Sequence, residues 1–175
     1  RKENTVEDSF YTVSNKQLKE EESKNGSKMI LVEPRAYSES QQIADYLNLV
    51  GTVAVEMFVL EDGEIVINEL APRPHNSGHY SIEACNVSQF HQHIRAVCGW
   101  PLRKPRLWAP SIMVNVLGQH VMPLSNSISK YPDWSLHLYG KQEAKVNRKM
   151  GHVTIMTDDV EKTLIEIEQS GIWPE

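Results

Sequence analysis

Two glutamates and a short polar loop carry the chemistry this sequence offers. Within residues 52–79, TVAVEMFVLEDGEIVINELAPRPHNSGH, Glu56 and Glu69 sit in two apolar runs, Val53 to Leu60 and Ile65 to Leu70. Asp62-Gly63 lies between the runs, and its tolerance of positive φ predicts a two-residue type I′ hairpin turn. Such a turn pairs Leu60 with Ile65, Phe58 with Ile67 and Glu56 with Glu69, and sends Asn68 to the other face of its strand. Directly opposed side chains have Cβ atoms roughly 4.5–5.5 Å apart, where like charges destabilise the pair. At about 4 Å two full charges repel by about 1 kcal/mol in bulk water and about 4 kcal/mol at the effective dielectric of a protein surface. A divalent cation converts that repulsion into binding, and an all-oxygen donor set suits Mg2+, with Mn2+ as a substitute. The bland alternative is an exposed hairpin whose two glutamates are simply solvated, the commoner case for an arbitrary hairpin.

The segment after the second run weighs against the bland case. Ala71-Pro-Arg-Pro-His-Asn-Ser-Gly-His79 is irregular, because its prolines cannot continue a ladder. Arg73 offers a planar donor fork, His75 and His79 offer imidazoles, and Asn76 and Ser77 offer neutral hydrogen bonds. Gly78 lets a ligand approach the backbone. The composition suits an anion site. His75 and His79 have the spacing of helical metal ligands, but the glycine and prolines around them argue against a zinc site.

VEMFV, then VINELAPRPHNSGHYSIEAC and SQFHQHIRAVCGWPL, together resemble the N5-carboxyaminoimidazole ribonucleotide synthases, ATP-grasp enzymes of purine biosynthesis. MVNVLG at 113–118, HLYGK at 137–141 and RKMGHVT at 148–154 resemble the same family in the same order. The resemblance spans about Gly51 to Val160 and is weaker on either side. It implies an α+β chain: the carboxy-terminal part of an ATP-grasp fold, an antiparallel sheet with packed helices, followed by a small β-rich carboxy-terminal domain. It also implies an ATP-dependent ligase. ATP phosphorylates bicarbonate to carboxyphosphate, and the carboxyl group passes to 5-aminoimidazole ribonucleotide. On this resemblance Glu56 and Glu69 are the Mg2+ ligands, and Asn68 and Glu69 lie beside ATP. Arg73, His75 and Asn76 take the catalytic side of the cleft, with Ser77 and Gly78 at the substrate. Lys141 and Arg148 anchor the ribonucleotide, Lys149 is less clearly placed, and homodimerisation is implied by the family alone. Where the family shows an APAR-like tetrapeptide this chain has Glu33-Pro34-Arg35-Ala36, which puts a substrate role for Arg35 in doubt. Competing readings are another ATP-grasp ligase, such as a glycinamide ribonucleotide transformylase or a biotin carboxylase, and a non-catalytic fragment kept for dimerisation or regulation.

Bulk properties agree with a cytoplasmic enzyme that binds no nucleic acid. The 175 residues carry a net charge of −5, whereas a nucleic-acid partner calls for a basic face. Cys85 and Cys98 show no metal-ligand spacing and read as reduced thiols. No apolar run approaches the ~20 residues of a membrane span, and no signal peptide opens the chain. The start at Arg1 reads as the middle of a longer protein, with the adenine pocket, lid and acid/base aspartate expected upstream, so that the fragment alone is expected to be inactive.

The elements that position these residues follow from periodicity. Residues 9–13 and Met29 to Val32 read as strands, with a polar loop over 14–28. A helix is expected from Ser38 to Leu49, capped by Ser38 or Ser40 and stopped by Gly51. A second helix from Ser88 groups Phe90, Ile94, Val97 and Cys98 on one face and ends at Gly99 and Pro101. His91 and His93 on it point in different directions and read as solvated. Pro101, Pro105 and Pro110 mark a linker over 101–110, dividing a domain at 1–100 from one at 111–175. The latter reads as three strands, Ser111 to Leu117, Ser135 to Tyr139 and Gly151 to Met156, then a helix capped by Asp158 or Asp159 with Val160, Leu164 and Ile167 on one face. Ser127-Ile-Ser-Lys130 matches SxxK with no companion motif, and GxGxxG, Walker A, HExxH and GxSxG are absent from the sequence.

Overall fold

The computed structural model describes residues 34–60 and 64–174. The expected strands at 9–13 and 29–32, the loop at 14–28, the side chain of Arg35 and the Asp62-Gly63 turn lie outside the described residues. The chain forms two compact units divided between Arg106 and Leu107.

The first unit opens with helix α1, Pro34–Tyr46. It begins four residues before the expected serine cap, because proline is pre-organised for the first helical turn, where its missing N–H costs nothing. Its stop is Asn48, not Gly51. Asn48 adopts φ 46°, with Asn48 N donating to the Asp45 carbonyl and Leu49 N to the Ala44 carbonyl, both at 3.0 Å. This is the paired hydrogen-bond pattern that closes a helix through a left-handed residue.

Strands β1, Ala54–Val59, and β2, Ile65–Ala71, form a two-stranded antiparallel sheet. Near the turn the register differs from expectation: Val59 faces Ile65, Phe58 faces Val66 and Met57 faces Ile67. Leu60 N donates to the Glu64 carbonyl at 2.8 Å, in line with that one-residue shift. A bulge between Glu56 and Met57 then leaves Asn68 as the extra residue of β2 and brings Glu56 opposite Glu69.

Beyond the loop come the short helix α2, Ser81–Ala84, and helix α3, Gln89–Val97. The Ser88 hydroxyl caps α3 by accepting from His91 N at 3.2 Å. The expected apolar face is not the buried one. Phe90, Ile94 and Val97 are exposed, while Gln89 and Gln92 are buried. Each glutamine turns inward because its amide ties a loop. Gln92 Nε2 donates to the Arg103 carbonyl at 2.6 Å, and Gln92 Oε1 accepts from Arg103 N at 3.1 Å. His93, expected to be solvated, is half-buried and accepts from Thr52 N through Nδ1 at 3.2 Å.

In the second unit β3, Ser111–Leu117, and β4, Trp134–Leu138, flank β5, Lys149–Met156, in a three-stranded antiparallel sheet of order β3-β5-β4. Between β3 and β4 lies helix α4, Val121–Ser127, which periodicity did not reveal; after β5 comes α5, Val160–Gln169. Ile112, Val116, Leu124, Trp134, Val153, Ile155, Ile167 and Ile172 form the core of this unit. Fully burying one such aliphatic side chain contributes roughly 1.5–3 kcal/mol. Asp159 caps α5, its carboxylate accepting from Lys162 N at 3.0 Å. The buried residues of α5 are Thr163 and Ile167, whereas Val160 and Leu164 are exposed. Thr163 is inward because its hydroxyl lies within hydrogen-bonding distance of Thr157 Oγ1, at 2.8 Å, and of the Asp159 carbonyl, at 2.9 Å. Ser127 of the SxxK string donates to the Pro123 carbonyl at 2.8 Å, a helix-end role. No helix among the described residues is long and apolar enough to cross a membrane.

Candidate functional site

The bulge in β2 decides what surrounds Glu56. An extra residue rotates the strand locally, so Asn68 leaves the face that strict alternation assigns it. Its side-chain amide donates to Glu56 Oε2 at 3.3 Å. The other carboxylate oxygen, Oε1, lies 3.4 Å from His75 Nε2. Glu56 therefore gathers the strand residue Asn68 and the loop residue His75, and Glu69 faces it across the ladder.

The loop is held by side chains as well as by its prolines. His75 Nδ1 contacts the Ser77 hydroxyl at 2.9 Å and accepts from Ser77 N at 3.4 Å. With Nδ1 accepting, the ring proton sits on Nε2 and points toward Glu56. Asn76–Gly78 form a single tight helical turn, in which Gly78 is buried. A Cβ added at Gly78 would lie 2.5 Å from Gln89 Oε1, so the absence of a side chain here makes room for that amide, where the sequence suggested room for a ligand. Arg73 is exposed, its guanidinium donating to the Pro74 carbonyl at 3.3 Å.

In the second unit Lys141 and Arg148 stand on the loop between β4 and β5. Lys141 Nζ donates to the Lys149 carbonyl at 2.7 Å and lies 5.8 Å from the centre of the Tyr139 ring. Arg148 donates to the Glu143 carbonyl at 3.3 Å, and Lys145 pairs with the Glu143 carboxylate at 3.0 Å. These exposed contacts are weak in water and leave cationic heads accessible to an anion. The loop is shaped from below by Gly118, where a Cβ would sit 2.0 Å from the Lys145 carbonyl oxygen. It is clasped by Gln119 and Asn147, which exchange hydrogen bonds of 2.9 and 3.2 Å.

The comparisons with known proteins match this geometry unit by unit. Residues 8–90 match the ATP-grasp domain model. Residues 111–166 match the model of the phosphoribosylaminoimidazole carboxylase C-terminal domain. The N5-carboxyaminoimidazole ribonucleotide synthase of Bacillus subtilis is 50% identical over 136 residues, 78% of this chain and 36% of that protein. The chain belongs to the N5-carboxyaminoimidazole ribonucleotide synthase family.

The synthase of Staphylococcus epidermidis is 48% identical over 132 residues, 75% of this chain and 35% of that protein. Among solved structures, the ADP complex of an N5-carboxyaminoimidazole ribonucleotide synthetase aligns with a TM-score of 0.78 at 50% identity, over 83% of this chain and 39% of that one. The Aspergillus clavatus synthase, in complex with ADP and 5-aminoimidazole ribonucleotide, aligns with a TM-score of 0.67 at 36% identity, over 79% of this chain and 40% of that one. The fold is thus the α+β arrangement of an ATP-grasp enzyme of this synthase family, and the chain spans about 36% of the length of the curated relatives it matches.

Within that family setting the donor chemistry of the hairpin fits a hard divalent ion. Glu56 and Glu69 are paired directly across the ladder, an all-oxygen donor pair, and the Asn68 NH2 group steadies the Glu56 carboxylate. Sequence reasoning missed Gln89, whose only advance signal was an amide directly after the Ser88 cap.

Proposed function

We propose that the complete protein built around these residues carboxylates 5-aminoimidazole ribonucleotide with bicarbonate at the expense of ATP, through carboxyphosphate, giving N5-carboxyaminoimidazole ribonucleotide for IMP synthesis. The observation that carries this reading is the opposition of Glu56 and Glu69 at the head of the His75 loop, in a chain similar to proteins so named through both its units. Glu56 and Glu69 would hold Mg2+, which when bound would supply positive charge to offset that of the reacting phosphates.

The chain's own residues supply positioning. Asn68, fixed on Glu56, lies beside the nucleotide with Glu69. Its amide orients the Glu56 carboxylate by occupying Oε2. His75 presents Nε2–H at the end of that carboxylate, so its imidazole links the acidic pair to the anion loop. Arg73 and Asn76 line the bicarbonate and aminoimidazole side, where Arg73 contributes a fixed positive fork. Ser77 sets the His75 ring, and Gly78, buried against the Gln89 amide, serves the substrate side by shaping the loop and not by exposing its backbone. Lys141 and Arg148 bind the ribonucleotide phosphate. A homodimer in the cytoplasm is the assembly and place that this family reading carries with it.

The test is ATP turnover by the complete protein in the presence of bicarbonate. Stimulation by 5-aminoimidazole ribonucleotide, and none by glycinamide ribonucleotide or biotin, is expected. Stimulation by either of the latter two alone would assign another ATP-grasp reaction.

A further inference from the structure

Gln89 is 3% exposed and stands at the first position of α3, just after the Ser88 cap. Its carboxamide oxygen and both of its N–H groups are turned to the functional loop. Oε1 accepts from His75 N at 2.9 Å. Nε2 donates to the His75 carbonyl at 2.7 Å and meets His79 Nδ1 at 2.8 Å. The His75 N–H fixes which end of the amide is oxygen, so the end facing His79 is the NH2 group, which can only donate. His79 Nδ1 must then accept, which puts the proton of its neutral ring on Nε2.

The same residue is anchored through its backbone. Gln89 N donates to Ser81 Oγ at 3.0 Å, and Ser81 Oγ donates to the Gly78 carbonyl. One amide thus grips the His75 main chain on both sides, as a neighbouring strand would. The His75 ring meanwhile reaches Glu56 at 3.4 Å.

We propose that Gln89 is a positioning residue. It holds His75 at the distance from which its ring meets Glu56, and it holds His79 as the tautomer with a bare Nδ1, so that phosphoryl transfer depends on an amide that touches no substrate. The inference rests on the functional reading above. Buried polar networks in which every valence is used rigidify their surroundings, and small misplacements near the chemistry lower the turnover rate without weakening ground-state binding.

The test uses Gln89→Glu and Gln89→Met in the complete protein. Glutamate keeps the size and the acceptor for His75 N, but it has no donor for the His75 carbonyl and draws a proton onto His79 Nδ1. Methionine removes the amide altogether. For both variants kcat with bicarbonate and 5-aminoimidazole ribonucleotide is expected to fall at least tenfold while KM for ATP stays within about twofold, as expected when only transition-state positioning is lost. The 15N spectrum is expected to report an unprotonated His79 Nδ1 in the wild type and a protonated one in Gln89→Glu. Unchanged kcat in a folded Gln89→Glu, or loss of activity that only tracks the unfolded fraction, would overturn the proposal. So would a protonated Nδ1 in the neutral wild-type ring, an observation that needs no variant to fold. A wild-type protein without substrate-stimulated turnover would overturn the functional reading instead, and the His79 tautomer would then decide the placement claim by itself.

Discussion

The imidazole Nε2 of His75 lies 3.4 Å from Glu56 Oε1, joining a strand carboxylate to a loop that follows the partner strand. Because Ser77 occupies Nδ1, the contact uses the Nε2 proton. Replacing Ser77 with alanine removes the hydroxyl contact and leaves only the long bond from Ser77 N. The expected result is a mixed His75 tautomer in the 15N spectrum and a fall in turnover of roughly threefold to tenfold, the scale of about 1 kcal/mol for one hydrogen bond. An unchanged single tautomer would show that Ser77 does not set the ring.

Glu69→Gln separates stability from function. Removing one of two opposed like charges relieves a repulsion of roughly 0.2–1 kcal/mol, so the melting temperature should hold or rise. ATP turnover by the complete protein should fall by about 100-fold or more, since a metal ligand and its charge are lost. A variant that loses stability and keeps its turnover would contradict both halves of the account.

The acidic pair was legible in the sequence, although two departures from regular geometry had to cancel. The near-turn pairing, Val59 with Ile65 and Phe58 with Val66, is shifted by one from the register expected of a two-residue turn. The bulge at Asn68 shifts it back. Alternation of apolar residues carries no signal for a bulge, so the pairing of Glu56 with Glu69 was recoverable and the side on which Asn68 stands was not. Faces of helices failed for a related reason. Gln89, Gln92 and Thr163 are inside because each satisfies loop or turn backbone groups, and hydrophobic periodicity ranks such residues as outside. Helix α4 is short, holds Pro123 in its first turn and buries only Leu124, too little to register as a pattern.

Gly118→Ala tests the loop that carries Lys141 and Arg148. The new Cβ would lie 2.0 Å from the Lys145 carbonyl oxygen, a backbone atom, so the loop itself must move. Overpacking of this kind costs roughly 1–3 kcal/mol, and occasionally more. KM for 5-aminoimidazole ribonucleotide should rise severalfold while KM for ATP is unaffected. Equal changes in both would detach this loop from the ribonucleotide.

The two cysteines should behave differently toward thiol reagents and toward pH. Both are free; Cys98 is exposed, while burial pushes the Cys85 thiol up to about 11. Cys98 should react under native conditions and Cys85 only after unfolding. The folded-state value lies above the unfolded one, so the contribution of Cys85 to stability is complete below about pH 8.5 and is lost as pH rises toward about 11. Denaturant midpoints for wild type and Cys85→Ala across that range should converge as pH rises. Parallel curves would show that Cys85 has no part in the alkaline loss.

Anomalous diffraction from Mn2+ bound with ADP to the complete protein tests the central claim most directly. An ion coordinated by carboxylate oxygens of both Glu56 and Glu69 is the expected result. An ion held elsewhere, with both glutamates facing only water, would contradict it.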